Sequence, residues 1–176
     1  AVANLMWALA VLDDKSLFVV FKDCESFPAI QDLTSDEQLR QLHQACITIN
    51  LSTELASRKS ASLLALMSDT SVARNQAFRS VHSRPSRMQE QVARTLSSMG
   101  LDVREEVTDE ASGYSLDIVL DKTSPLAPAH VAKSTARWAV EVDGPSHFVK
   151  SSDGELHCNG GTLLKRRHLE GLGYAL

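Results

Sequence analysis

The sequence lacks a long apolar run and has few cysteines. Although 43% of its 176 residues are hydrophobic, no apolar stretch reaches the length of about 20 residues that a membrane-spanning helix needs. The three cysteines, Cys24, Cys46 and Cys158, are scattered and odd in number, which argues against a disulfide framework and is typical of a reducing compartment. No second pair of metal ligands stands at zinc spacing from His157 and Cys158, so the sequence does not indicate a zinc site.

The two ends of the sequence carry no targeting signal. The chain opens with AVANLMW, without an initiator Met, and stops at GYAL, where an extended segment begins. We therefore expect a piece of a longer protein, so that a missing transit peptide carries no weight.

Positive charge is concentrated in one stretch of an otherwise acidic chain. The formal net charge is −4, yet residues 71–100 contain five arginines and one acidic residue. A second basic group, LKRRH, stands at residues 164–168. A basic stripe on an acidic chain favours a polyanionic partner, while a solvated helix face is the equally simple alternative.

The first half of the sequence reads as helices. Residues 4–12 are apolar on nearly every side, and residues 34–51 have a Thr/Ser start, acidic residues in the first turn and apolar residues at helical spacing. Further helices are predicted at about 54–67 and 70–82. With a proline link at Phe27-Pro28, residues 1–82 are expected to form antiparallel, repeat-like helical hairpins.

In the second half of the sequence, the spacing of apolar residues changes from the helical period to the alternation that is typical of strands. Ser86 and Gln89 form a capping-box pattern for a helix over 83–100, with Met88, Val92, Leu96 and Met99 as its apolar face. Short alternating segments follow at 101–107, 114–120 and 137–143, and a helix returns at 160–173. The expected fold is therefore α+β, with a small α/β domain over residues 84–176.

Three carboxylates are predicted to gather at one end of this sheet. The strand phase places Asp117 on one strand, and Glu141 and Asp143 on the next, opposite the apolar positions. Such a cluster can hold a divalent metal and activate water, in the layout of the PD-(D/E)xK nucleases. Those enzymes usually have Lys where this chain has Asp143, so Lys165 or Lys150 would have to substitute, and ordinary turn chemistry at Asp143-Gly144-Pro145 is the alternative.

Three segments stand in the order found in the RAP domain. They are AVEVDGPSHF, a glycine-containing linker and GTLLKRRHLEGLGY. The chain resembles this RNA-binding domain, which is abundant in apicomplexans and occurs in algal and plant organelle proteins and the FAST kinase-domain family. GYSLDIVL and RMQEQVARTLSSMG are similar to its upstream strand and helix, so the resemblance spans about residues 84–176 and lacks the last strand. The N-terminal ANLMWALAVL is similar to helices of the repeats that precede it.

The resemblance implies a non-catalytic RNA-binding protein on a degenerate PD-(D/E)xK nuclease fold, without a cofactor. The implied partner is RNA, either rRNA in a mitochondrial ribosome, together with ribosomal proteins, or organellar transcripts bound by a maturation, stability or translation factor. Membranes and small-molecule cofactors are not expected. A mitochondrial location is favoured over the chloroplast. The candidate RNA-binding residues are Lys165, Arg166, Arg167, His147, Lys150, Arg74, Arg79, Arg84, Arg87 and Arg94.

Two other classes of function stay open from the residues alone. The first is a metal-dependent nuclease that uses Asp117, Glu141, Asp143 and Lys165. The second is a protein–protein scaffold in which the helical half forms the binding surface.

Overall fold

The chain folds into two compact units, Ala1–His82 and Ser83–Leu176. A computed structural model describes five stretches of it, residues 2–14, 35–57, 59–81, 85–121 and 135–176. Within these stretches the first unit is helical and the second combines helices with two small sheets. The predicted α+β class is confirmed. None of the helices described is at once long enough and apolar enough to cross a bilayer.

The described part of the first unit is made of helices. They are α1 (Val2–Leu12), α2 (Asp36–Leu51), α3 (Thr53–Ala56), α4 (Ala61–Asp69) and α5 (Ser71–Arg79). Helix α2 begins where the sequence predicts, because the Ser35 side chain accepts the N–H of Gln38 at 3.2 Å. The single helix predicted at 54–67 is two helices, since the Ser60 hydroxyl accepts the N–H of Leu63 and starts a new one. The predicted Phe27-Pro28 link lies outside the described residues.

Helices α1 and α5 both pack against α2, which forms the centre of this unit. Met6 of α1 and Leu42 and Ile49 of α2 are each about 1% exposed. Cys46 is buried among them, and that burial raises the pKa of its thiol to about 11, although the charges of Arg74 and Lys59 act in the opposite direction.

The described part of the second unit contains two helices, six strands and one 3₁₀ turn. They are α6 (Arg87–Ser98), β1 (Val103–Thr108), β2 (Ser115–Leu120), β3 (Arg137–Val140), the 3₁₀ turn (Pro145–His147), β4 (Phe148–Lys150), β5 (Leu156–Cys158), α7 (Gly160–Gly171) and β6 (Tyr174–Ala175). The main sheet has the order β1-β2-β3-β6, and β4 and β5 form a separate hairpin. The β1-β2 and β2-β3 pairs are antiparallel, whereas β3 and β6 are parallel.

The buried face of the sheet follows the predicted strand phase on β2. Leu116 and Ile118 are fully buried, and Ile118 pairs with Val140 across the sheet. The third strand is shorter than predicted, because it ends at Val140 and residues 141–144 continue outside the sheet.

Helix α6 turns only part of its predicted apolar face inward. Ser86 caps it as expected, accepting the N–H of Gln89 at 3.1 Å. Val92 and Leu96 of that face are half-buried, but Met88 and Met99 are 44% and 61% exposed, and Gln89 and Ala93 are buried instead. The prediction was wrong for the two methionines because Gln89 has polar partners on the sheet, so a polar side chain occupies part of the inner face.

Asp109 connects three parts of the second unit, the β1–β2 turn, β3 and β6, through its buried carboxylate. Its Oδ2 accepts the N–H and hydroxyl of Ser112 in the β1–β2 turn, and its Oδ1 accepts hydrogen bonds from Arg137 of β3 and Tyr174 of β6. Arg137 also stacks on the Tyr174 ring at 3.9 Å and donates to the main-chain oxygen of Leu172. Burial alone would raise the pKa of Asp109, but the hydrogen bonds from Ser112 and Tyr174 and the charge of Arg137 hold it below its ordinary value of 3.8.

We expect Asp109→Asn to destabilise the protein by about 2 kcal/mol at neutral pH, because a charged acceptor of several hydrogen bonds is lost. The folded pKa of Asp109 lies below the unfolded one, so its contribution is complete above pH 3.8 and is lost as the pH falls through the folded pKa. Denaturant unfolding at several pH values should therefore show the difference between wild type and variant shrinking upon acidification.

The matched control is Glu105→Gln, which makes the same chemical change at an exposed position of β1. It should alter stability by no more than about 0.5 kcal/mol. Equal effects of the two substitutions would contradict the role assigned to Asp109.

Candidate RNA-binding site

The start of helix α7 is fixed against the turn that follows β3. Asn159 caps the helix, since its Oδ1 accepts the N–H of Thr162 at 2.9 Å. The same side chain donates from Nδ2 to the main-chain oxygen of Ser146 at 2.8 Å, and the Asn159 N–H donates to the main-chain oxygen of His147. The first turn of α7 and the 3₁₀ turn are therefore held together.

Two ion pairs join α7 to the residues that leave β3. Lys165 donates to Oε2 of Glu141, and Arg166 donates to Oδ2 of Asp143. His147 Nδ1 lies 3.0 Å from Oδ1 of Asp143 and 3.0 Å from the Thr162 hydroxyl. Two of the predicted RNA-binding cations are thus bound to two of the predicted nuclease carboxylates.

The third carboxylate belongs to the same cluster. Oδ2 of Asp117 accepts the N–H of Val142 at 2.7 Å, between Glu141 and Asp143 in the chain. Asp117 of β2 therefore holds the main chain between the two residues that pair with α7. Each of the three carboxylates has a partner within the protein.

Burial dominates the electrostatics of Glu141. Its side chain is 9% exposed, and this burial raises the pKa of its carboxyl, with a further contribution from the Asp117 charge and an opposing one from Lys165. The other oxygen, Oε1, is buried, and a hydrogen bond from the main chain of Asp117 to the carboxyl also opposes the rise in its pKa. In the neighbouring pair, the hydrogen bond to Asp143 raises the pKa of Arg166.

A cleft of about 230 Å³ opens between these groups. It is lined by Glu141, Asp143, Ser146, His147, Asn159, Gly161, Thr162, Lys165 and Arg166. Gly160 and Gly161 are the first residues of α7, where main-chain N–H groups have no partner within the helix. The N-terminus of a helix attracts anions, so this end of the cleft favours a phosphate or a carboxylate.

The other predicted basic residues lie outside the cleft. Arg87 and Arg94 are exposed seven positions apart on α6, and Arg94 pairs with Glu90 at 2.9 Å. Lys150 is exposed on β4, and Arg167 is half-buried. Arg79 is exposed in the first unit.

Arg74 does not belong to an exposed basic surface, contrary to the prediction. It is 6% exposed, and its guanidinium donates to the Thr70 hydroxyl at 2.8 Å and to the main-chain oxygen of Met67 at 2.7 Å. It caps the end of α4 and is unavailable to RNA. Arg84 lies outside the described residues.

The three carboxylates do not form an open metal site. Within the described ranges, Asp153, Glu155 and His157 form the group whose ligand atoms lie within 4.8 Å of one another, and all three are exposed. Lys165 and Arg166 occupy carboxylate oxygens of Glu141 and Asp143 that a divalent ion would need. This arrangement does not fit a metal at the cluster.

Sequence reasoning missed the polar residues that position the site. Asn159 and Thr162 were detectable, because Asn before Gly-Gly-Thr is a helix start signal. Gln89 was not, since its partners are remote in sequence. Its amide nitrogen donates to Oε1 of Glu106 at 2.7 Å and to the main-chain oxygen of Asp117 at 3.3 Å.

Comparison with known families identifies the part of the chain that carries the site. Residues 140–176 match the RAP domain, which confirms the predicted resemblance over that range. The matched range begins at Val140 and contains the cleft, α7 and β6. No solved structure matches the chain. Because the RAP domain is an RNA-binding domain, the match indicates an RNA-binding function.

Proposed function

We propose that the chain is a non-catalytic RNA-binding protein that contacts RNA through the start of α7 and the cleft beside it. The observation that supports this most is that the RAP match covers the residues lining the cleft. The helix N-terminus, Lys165 and Arg166 supply the groups that usually contact phosphate oxygens. His147, half-buried at the rim, adds a ring that can stack on an unpaired base.

The ion pairs define how a phosphate would enter. Lys165 and Arg166 are already paired with carboxylates, so a phosphate has to share or replace Glu141 and Asp143 as their partner. The net charge of these four groups is near zero, and phosphate attraction therefore depends on the helix N-terminus and on nearby exposed cations. Lys150, Arg87, Arg94 and Arg79 are proposed as such additional contacts to the RNA backbone, without base specificity.

The double variant Lys165→Met/Arg166→Met should bind single-stranded RNA about ten-fold more weakly than wild type. The logarithmic dependence of its affinity on salt should become shallower by about one for each phosphate that the variant no longer neutralises. Filter binding or fluorescence anisotropy across a salt series measures both quantities, and thermal unfolding checks that the variant is folded.

The matched control, Arg40→Met/Lys59→Met, removes one Lys and one Arg from the helical unit, outside the RAP match. It should leave the affinity and the salt dependence close to those of wild type. If the control weakens RNA binding and the cleft variant does not, the site proposed here is wrong and the helical half is favoured.

The cellular setting is proposed on the resemblance alone. We propose that the protein acts in mitochondria, with the chloroplast as the alternative, either as a component of the mitochondrial ribosome or as a factor for transcript maturation, stability or translation. Sedimentation of organelle extracts in high salt separates these roles. A ribosomal component should remain with a ribosomal subunit, whereas a maturation factor should be released.

A metal-dependent nuclease is the alternative that the sequence left open, with Asp117, Glu141, Asp143 and Lys165 as its residues. The ion pairs do not support it, because Lys165 and Arg166 occupy carboxylate oxygens that a divalent ion would need. We expect no cleavage of RNA or DNA by the wild-type protein in magnesium or manganese. Cleavage that disappears in Glu141→Ala would establish the nuclease instead.

A further inference from the structure

A second depression lies on one face of the main sheet of the second unit. Its volume is about 590 Å³, within the range of sites that hold small organic ligands. Val119 of β2 lines it, on the face opposite to Ile118. Arg104 of β1 pairs with Val119 in register, and Arg137 of β3 and Tyr174 of β6 complete the wall. This depression, the sheet groove, shares no described lining residue with the cleft.

Arg137 is held in one orientation at the groove. Its guanidinium lies over the Tyr174 ring, 3.9 Å from the ring centroid. It also donates to Oδ1 of Asp109 at 3.0 Å and to the main-chain oxygen of Leu172 at 2.7 Å. Burial and the hydrogen bond to Asp109 raise the pKa of Tyr174 to about 12, so the ring stays neutral at physiological pH. These contacts fix the plane of the Arg137 guanidinium.

Part of this fixed group remains accessible from the groove. The Arg137 side chain is 48% exposed, whereas Tyr174 beneath it is only 8% exposed. Because one face of the guanidinium covers the ring and two of its nitrogens are hydrogen-bonded, the accessible part is its other face. Unpaired bases stack on Arg guanidinium planes as they do on aromatic side chains. The groove therefore presents a preformed stacking surface.

The charges around the groove favour a nucleobase over a phosphate. Asp109, Glu110 and Asp121 line it together with Arg104 and Arg137, so carboxylates outnumber cations. A phosphate would bring further negative charge to this surface, whereas a base is neutral and carries N–H groups that carboxylates accept.

We propose that the sheet groove binds one unpaired nucleobase of the bound RNA, which stacks on the outer face of the Arg137 guanidinium. Tyr174, which supports Arg137 from below, lies within the range that matches the RAP domain. This inference rests on the proposed RNA-binding function and adds a contact to a base, on a separate surface, to the phosphate contacts of the cleft. Stacking of this kind tolerates any base.

The first test uses adenosine, which has a base and a ribose but no phosphate. It is titrated into the isotope-labelled full chain while two-dimensional amide spectra are recorded. We expect saturable shifts at the amides of Glu110 and Val119, with the weak, millimolar affinity of a single stacked base. The amides of Gly161 and Thr162 in the cleft should not shift. Shifts confined to the cleft, or the absence of any saturable shift, would overturn the proposal.

The stacking group is identified by Arg137→Lys. Lysine keeps a positive charge beside Asp109 but has no plane on which a base can stack. We expect the adenosine shifts to be lost and the affinity for a short oligoadenylate to fall about ten-fold. Arg40→Lys makes the same change in an arginine of the first unit that is also paired with a carboxylate, that of Glu37, and should leave both quantities unchanged. Retention of both in Arg137→Lys would contradict the role of the guanidinium.

These measurements separate the groove from RNA binding as a whole. If oligoadenylate binds the wild-type chain without shifting the groove amides, the base site is wrong while the RNA-binding function stands. If oligoadenylate does not bind, the RNA-binding function itself is overturned. Thermal unfolding checks that the variants fold, and the adenosine titration needs no substitution, so it decides the matter even if Arg137→Lys unfolds the protein.

Discussion

The functional half of this protein depends on the ion pairs between α7 and the residues that leave β3. Lys165 with Glu141 and Arg166 with Asp143 join a helix to the end of a strand at a depth where single charges are costly. Removing Lys165 or Arg166 would take the cation away from a largely buried carboxylate. All four residues line the cleft, and Asp143 also contacts His147.

The same pairs distinguish this site from the two simplest interpretations of its sequence. A nuclease would leave its carboxylates accessible to metal, and a plain RNA-binding patch would leave its cations accessible to phosphate. Here opposite charges largely satisfy each other, so the groups of the described cleft that remain for a ligand include the first N–H groups of α7 and the donors of Lys165 and Arg166 that the carboxylates do not engage. The site is therefore suited to recognition by a few specific hydrogen bonds more than by overall charge.

The sequence predicted the features that depend on residues close together in the chain, namely the faces of a strand and the starts of helices. The period-two alternation of β2 identified Leu116 and Ile118 as buried and Asp117 as their opposite, and Ser35 and Ser86 identified two helix starts. The burial and the partners of the charged residues were not predictable in this way. Arg74 is buried because main-chain and hydroxyl oxygens of neighbouring turns surround it, and Lys165 and Arg166 met carboxylates more than 20 positions away. Pairing of that kind depends on tertiary contacts that no short window contains.

Glu106 shows how the first helix of the second unit reaches the carboxylate cluster. Its φ of 50° lies in the left-handed region, which is uncommon for a residue with a side chain, and hydrogen bonds from Gln89 and Ser115 hold its carboxylate. Gln89 also donates to the main-chain oxygen of Asp117 on the neighbouring strand β2. One amide group on α6 therefore clamps two adjacent strands at a strained position, so a displacement of α6 would be transmitted directly to the backbone of Asp117.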